Sequence, residues 1–202
     1  NRMVKHTHDE KDILSQIDHP FICKLHHAFQ TRKHLVLVLD FLCGGELFFH
    51  LQRCRRFPES RARFYAAEIG SALEHIHARD IIYRDLKPEN VMLSSRGHAT
   101  LIDFGLAQLE VTEKNPASKF IGTPEYMAPE VVLKLPYGKA ADWWSLGVVL
   151  FEMLAGYLPF SDDHLPDLYK KIIHQPLQFP QNFSPEVRNL LSRLLERDAM
   201  YR

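Results

Sequence analysis

The segment Tyr83-Arg-Asp-Leu-Lys-Pro-Glu-Asn90 gathers a carboxylate, an ammonium and a carboxamide within a few residues. Moving a phosphoryl group onto a hydroxyl needs a carboxylate that orients the attacking oxygen and takes its proton. It also needs a cation on the moving oxygens and hard oxygen ligands for Mg2+. Asp85, Lys87 and Asn90 match these three tasks in order. A second oxygen ligand has to come from a neighbouring element. Asp103 of Asp103-Phe-Gly105 stands at the end of a short apolar run, and Gly105 lets the backbone turn away after it. A lone Asp-Phe-Gly arises by composition and carries little. An Arg-Asp loop, then Asp-Phe-Gly, then Ala128-Pro-Glu130, all in that order, carries much more.

These residues need elements to hold them. A helix is expected over residues 9–17, with Ile13, Leu14 and Ile17 on one face and His19-Pro20 as its stop. Leu35-Val-Leu-Val-Leu39 reads as a strand, broken by Cys43-Gly44-Gly45 before a helix over 46–52. From Pro58, apolar residues recur at helical spacing: Ala62, Tyr65, Ala66, Ile69, Ala72, Leu73 and Ile76. The Asp85 loop follows, and after it come two short runs, 91–93 and 100–102, joined by the turn signal Ser94-Ser-Arg-Gly97, a small hairpin. Residues 107–138 are turn-rich and weakly periodic, and helical patterns return at 139–155, 164–174 and 184–196. No repeat or low-complexity linker interrupts this order. The expectation is an α+β chain with a helix-rich lobe and a small strand-and-helix fragment ahead of it.

Composition narrows the function classes. Of 202 residues, 46% are hydrophobic and 25% charged, which fits a chain that buries a core. Lys plus Arg and Asp plus Glu are equal at 25 each, so no bulk field draws the protein to nucleic acid or an anionic membrane. The cluster of arginines from Arg53 to Arg63 reads as a solvated helix face. Cys23, Cys43 and Cys54 form no C-x-x-C pair, which argues against a disulfide scaffold or a zinc site and for a reducing, cytoplasmic setting. His26-His27 and His75-x-His77 read as exposed or hydrogen-bonded histidines rather than metal ligands. The first residues carry no apolar h-region, so no signal peptide is expected, and polar breaks within 143–160 argue for a buried helix there rather than a membrane span.

The chain resembles the protein kinases of the AGC group. Tyr83 stands where His is usual, and Gly122-Thr-Pro-Glu-Tyr-Met-Ala-Pro-Glu130 and Asp142-Trp-Trp-Ser-Leu-Gly147 have that group's form. Gly44-Gly-Glu-Leu-Phe-Phe-His-Leu-Gln-Arg53 and Arg61-Ala-Arg-Phe-Tyr-Ala-Ala-Glu68 look most like the serum- and glucocorticoid-regulated kinases and the ribosomal protein kinase branch beside them. The resemblance covers essentially the whole chain. It implies a partial N-lobe and hinge over 1–42, a C-lobe over 43–202, and ATP and Mg2+ as cofactors. Asp85, Lys87 and Asn90 would be catalytic, and Asn90 and Asp103 would hold the metal. Asp40, Leu42, Glu46, Met92 and Glu10 would serve the nucleotide, with Leu39 as gatekeeper and Glu10 as the partner of the ATP-binding lysine. By residue chemistry alone Glu10 is equally a solvated surface glutamate. Leu14, Leu25, Tyr83 and Phe104 would form an apolar column anchored by Asp142, and Glu130 would pair with Arg202. Lys87 and Thr123 imply Ser/Thr acceptors. Glu46, Glu89 and Glu152 imply arginines upstream of the acceptor, each of the three being open to a plain solvated or capping role.

Two departures qualify these implications. No G-x-G-x-x-G or Val-Ala-x-Lys precedes Asn1, so these 202 residues taken alone are expected to have little activity, and a truncated pseudokinase acting as an interaction module stands as the alternative. Lys119 occupies the place, three residues before Gly122, where close relatives carry a phosphorylatable threonine. A lysine there implies like-charge repulsion with Arg84, and a segment either mobile or ordered by another contact, with Ser118 the adjacent substitute.

Overall fold

The computed structural model describes residues 10–202. Residues 10–14 are helical, and the predicted start at Asp9 lies outside the described residues. The helix stops short of the expected residue 17. Its last turn tightens, with Gln16 N–H reaching only back to Ile13 O at 3.0 Å, while Ser15 and Gln16 side chains both donate to Asp12 O at 2.9 Å. Two antiparallel strands follow, β1 (Leu25–Gln30) and β2 (Leu35–Leu39), in register Phe29 to Val36 with a bulge between Leu25 and His27. Thr31 closes the turn between them by accepting from the amides of Lys33 and His34. Strand β1 was not foreseen. Five of its six residues are exposed, so no apolar face marks it, and its partner alone supplies the ladder.

The rest is mainly helical. Helix α1 (Leu47–Cys54) begins one residue later than expected and ends two later, at Cys54, before Arg55, whose φ of 64° stops the ladder. Helix α2 (Glu59–His77) buries Ala62, Tyr65, Ile69, Ala72, Leu73 and Ile76 of the stripe read from spacing, and Ala66, its remaining member, is half-buried against the core. It also buries Glu68, whose carboxylate accepts from Ala99 N–H at 2.7 Å and meets the His98 ring at 2.6 Å, tying the helix to the second hairpin. That hairpin is β3 (Val91–Leu93) with β4 (Ala99–Leu101), one residue earlier in its second strand than expected. Region 107–138 contains isolated bridges, a 3-10 turn at Pro124–Tyr126 and the four-residue helix α3 (Pro129–Val132).

Helix α4 (Ala140–Ala155) is the axis of the core, with twelve of its sixteen residues buried. A helix apolar all round must be surrounded, and α2 packs on one side of it and α6 (Pro185–Leu194) on another. The approach of α6 requires Gly147, because a Cβ there would sit 2.9 Å from Leu194 Cβ and from Leu195 Cδ2. Helix α5 (Leu165–His174) packs against α3. Helix α6 stops at Leu194 rather than 196, and its start is capped by Ser184, which accepts from Val187 N–H at 3.2 Å. The architecture is therefore α+β, helix-rich, with two two-stranded sheets among the described residues. No described helix is long and apolar enough to cross a membrane.

Candidate active site

The loop between α2 and β3 is held from beneath by Asp142, near the start of α4 and almost fully buried. Its Oδ2 accepts from Tyr83 N–H at 2.8 Å, its Oδ1 from Arg84 N–H at 2.8 Å, and the His77 ring lies 2.7 Å from Oδ2. Arg84 takes φ of 71°, a left-handed conformation that costs a non-glycine residue energy, and the paired amide bonds hold it there. The next residue, Asp85, follows directly from this held turn, its side chain one-tenth exposed.

Asp85 is held from three sides. Oδ2 accepts from Asn90 Nδ2 at 2.9 Å and lies 3.1 Å from Lys87 Nζ, while Oδ1 accepts from Thr123 Oγ1 at 2.7 Å. Lys87 Nζ also donates to Thr123 Oγ1 at 2.9 Å, and Asn90 Nδ2 to Asp85 O at 2.8 Å. The expected catalytic trio and Thr123 are thus one hydrogen-bonded cluster. Gly122 makes this possible: with φ of 122°, it brings the chain so close that a Cβ would lie 2.8 Å from Arg84 O.

Asp103 follows β4, exposed, with φ of 57° and Oδ1 accepting from Gly105 N–H at 3.0 Å. The β3–β4 hairpin joins it to the loop, because Ile102 N–H donates to Asn90 O at 3.0 Å. Phe104 meets Tyr83 edge to face with centroids 5.1 Å apart, and Tyr83 hydroxyl donates to Ile102 O. Leu14 is buried in the same core, and Leu25 packs on its border. Burial pushes the Tyr83 phenol far above its ordinary range, and the charges of Asp103, Asp85, Asp142 and Glu10 around it act in the same direction. Glu10 is half-buried beside Asp103. Burial chiefly, then the Asp103 charge, raises its carboxyl above 4.5, opposed by a hydrogen bond from the Phe104 amide.

No group of three or more His, Cys, Asp or Glu side chains among the described residues forms a metal-holding cluster. Mg2+ does not ask for one. It keeps several waters and binds through one or two protein oxygens plus phosphates, and Asn90 and Asp103 offer that donor set. The expected nucleotide residues lie on the strand side. Asp40 carries its carboxylate 2.7 Å from His26 Nε2, and its amide donates to Lys24 O at 3.1 Å; Leu42 is half-buried just beyond. Met92, half-buried in β3, bridges to Glu46, which is exposed at the head of α1.

The residues expected to read arginines divide. Glu152 is pushed above 4.5 chiefly by burial, opposed by the Tyr126 hydroxyl that donates to its Oε2 at 2.7 Å, and raised further by the charges of Glu89 and Glu125. Glu89 Oε2 is buried with no hydrogen-bond partner among the described residues. Glu46 stands on another element and is not among the charges acting on Glu152. Glu125 was missed by sequence reasoning, being inside a motif read only for its family form. Lys119 is exposed, and its carbonyl accepts from Tyr137 hydroxyl at 2.7 Å. Glu130 and Arg202 form the expected pair, Nη1 to Oε1 at 2.8 Å and Nη2 to Oε2 at 3.1 Å.

Comparison with known proteins agrees with this geometry. The protein kinase domain family matches residues 1–202. Protein kinase 2 of Dictyostelium discoideum is 52% identical over 198 residues, covering 98% of this chain and 41% of that protein. Serine/threonine-protein kinase Sgk1 of Macaca fascicularis is 50% identical over 199 residues, with 98% and 46% covered. Serine/threonine-protein kinase YPK1 of Saccharomyces cerevisiae is likewise 50% identical over 199 residues, with 98% and 29% covered. The chain therefore spans less than half the length of each of these relatives. The family model spans the whole chain, and the chain therefore belongs to the protein kinase domain family.

Proposed function

We propose that the protein is a Mg2+- and ATP-dependent kinase that moves the γ-phosphoryl group of ATP onto Ser/Thr hydroxyls of proteins, at sites beside arginines. The observation that carries this reading is the Asp85 carboxylate gripped by Asn90, Lys87 and Thr123 together. In the proposed step the acceptor oxygen bonds to the γ-phosphorus, the bond to the β-bridging oxygen breaks to leave ADP, and the hydroxyl proton passes to Asp85. Lys87 stabilises charge on the moving oxygens. Mg2+, when bound, neutralises phosphate charge, and Asn90 and Asp103 are the residues that would hold it. Asp40, Leu42, Met92, Glu46 and Glu10 are assigned to the nucleotide, with the junction between lobes at residues 42–43. Three free cysteines fit a reducing cytoplasm.

The test is transfer of labelled phosphate from ATP to Ser- and Thr-containing peptides by the full-length protein, titrated with Mg2+. Asp103→Ala is expected to raise the Mg2+ concentration for half-maximal rate at least about 10-fold. An unchanged Mg2+ dependence would remove Asp103 from the metal site. No transfer at all under any Mg2+ concentration would favour the interaction-module alternative.

Specificity has its own test. An arginine beside Glu152 and Glu89 favours their charged forms, so Glu152→Gln or Glu89→Gln should raise KM about 10-fold for arginine-containing peptides and little for arginine-free ones. The sign with pH follows from the raised Glu152 carboxyl. Binding a cation must expel its proton, so affinity for arginine peptides rises as pH climbs through the raised value and levels off above it. Equal losses on both peptides, or a flat profile, would sink the arginine reading.

A further inference from the structure

We propose that Gln108 is a positioning residue for the phosphoryl transfer, fixing Arg84 and hence the Asp85 loop to the segment after Asp103 by neutral acceptors alone. The inference rests on the kinase reading of the site. Arg84 sits directly before Asp85, and its guanidinium donates to Leu106 O from Nε at 2.6 Å, to Gln108 Oε1 from Nη1 at 2.7 Å and to Ala107 O from Nη2 at 3.3 Å, and it also meets the neutral Tyr137 hydroxyl. None of these partners carries a charge. The Asp142 carboxylate beneath the loop is spent on the backbone amides of Tyr83 and Arg84 and on His77.

Gln108 is itself held. Its amide donates to Ile82 O at 2.9 Å and its carbonyl accepts from Ile82 N–H at 3.0 Å, so its backbone is bridged to the residue two before Arg84 and its half-buried side chain starts from a fixed main chain. A carboxamide oxygen offered in this way is pre-organised for a guanidinium. Tyr137 extends the joint further along the segment. Its backbone exchanges both hydrogen bonds with Ala117, at 2.8 and 2.9 Å, and its hydroxyl donates to Lys119 O. Arg84 thus connects to residues 106–108 directly, and Tyr137 anchors residues 117–119. Residues 106–108 and 117–119 are thus tied in through neutral groups, Thr123 is held by the Asp85 carboxylate of the loop itself, and Lys119 is exposed to solvent.

The consequence is a transfer rate set without phosphorylation of this segment. In the full-length protein, Gln108→Leu removes the acceptor at similar volume and should lower kcat about 10-fold, the effect of one lost hydrogen bond to a charged group, with KM for ATP within about two-fold. Gln108→Glu keeps an acceptor in place and should restore kcat to within about three-fold of the parent. Phosphatase treatment of the parent should leave its rate unchanged. A parent that loses its activity on dephosphorylation, or a Gln108→Leu variant with unchanged kcat, overturns the proposal. Hydrogen exchange keeps the test independent of activity. Gln108→Leu should speed exchange in 82–86 and 106–122 while leaving α4 protected; unchanged exchange in those stretches rejects the joint even if the protein transfers no phosphate. Should Gln108→Leu fail to fold, Gln108→Asn, one methylene shorter in reach, is read by the same two measurements.

Discussion

Replacing Asp85 with asparagine in the full-length protein is expected to cut kcat by about 10² to 10⁴, the range for a positioned proton acceptor. Alanine would do the same and more, because Asp85 has two jobs in the structure. In the proposed reaction it takes the proton of the acceptor hydroxyl, and in the fold it accepts from Asn90 and Thr123 and pairs with Lys87. Alanine breaks the second job along with the first, releasing Thr123 and the chain around it. Asparagine keeps an oxygen for one of these donors but has a far weaker affinity for a proton, which isolates the chemistry. The fingerprint is therefore a fall in kcat with KM for ATP little changed and a melting temperature near that of the parent. A loss confined to KM would mean that Asp85 binds substrate without taking its proton.

The second large effect is on stability. Glu130→Ala should destabilise the fold by about 3–5 kcal/mol, since it leaves a buried guanidinium without its counter-charge. The Arg202 side chain is 0% exposed, stacks over Trp144 with its guanidinium carbon 5.2 Å from the ring centroid, and donates further to Ala140 O at 2.9 Å and Glu196 O at 2.8 Å. It cannot swing out to water without giving up all of these. For a chain of this size the loss corresponds to roughly 6–20 °C in melting temperature. The pair itself is a different matter from either half. Replacing both members, Glu130→Leu with Arg202→Met, should cost less than Glu130→Ala alone, because no unpaired charge is then buried. Denaturant unfolding of the two variants decides it. A single-variant loss under about 1 kcal/mol would show that water reaches the guanidinium after all.

What could be read from sequence, and what could not, follows the range of the interaction. The stripe of α2 from Ala62 to Ile76 was legible because one face of a long helix repeats locally. Asp85, Lys87 and Asn90 were legible because their chemistry is packed into six residues, and the cluster came out with Thr123 added from the far segment. Strand β1 was not, since its exposed residues alternate nothing and only β2 makes it a strand. Gln108 was equally silent. Its meaning lies in an oxygen 2.7 Å from a side chain 24 positions earlier, and no local pattern encodes that. Glu125 gained its role only from the nearness of Glu89 and Glu152. The end of the first helix failed for a smaller reason: Ser15 and Gln16 compete for Asp12 O in a way that spacing alone does not reveal.

Asp142 grips the loop by main-chain amides, and amides are the same in every residue but one. The carboxylate therefore cannot distinguish tyrosine from histidine at position 83, nor arginine from anything else at 84, so long as an N–H is present. A change of side chain leaves this particular hold in place, and what ties Tyr83 and Arg84 to their residue types lies elsewhere, in the Phe104 ring and in the acceptors of the guanidinium. Only proline, which has no N–H to give, is shut out at both.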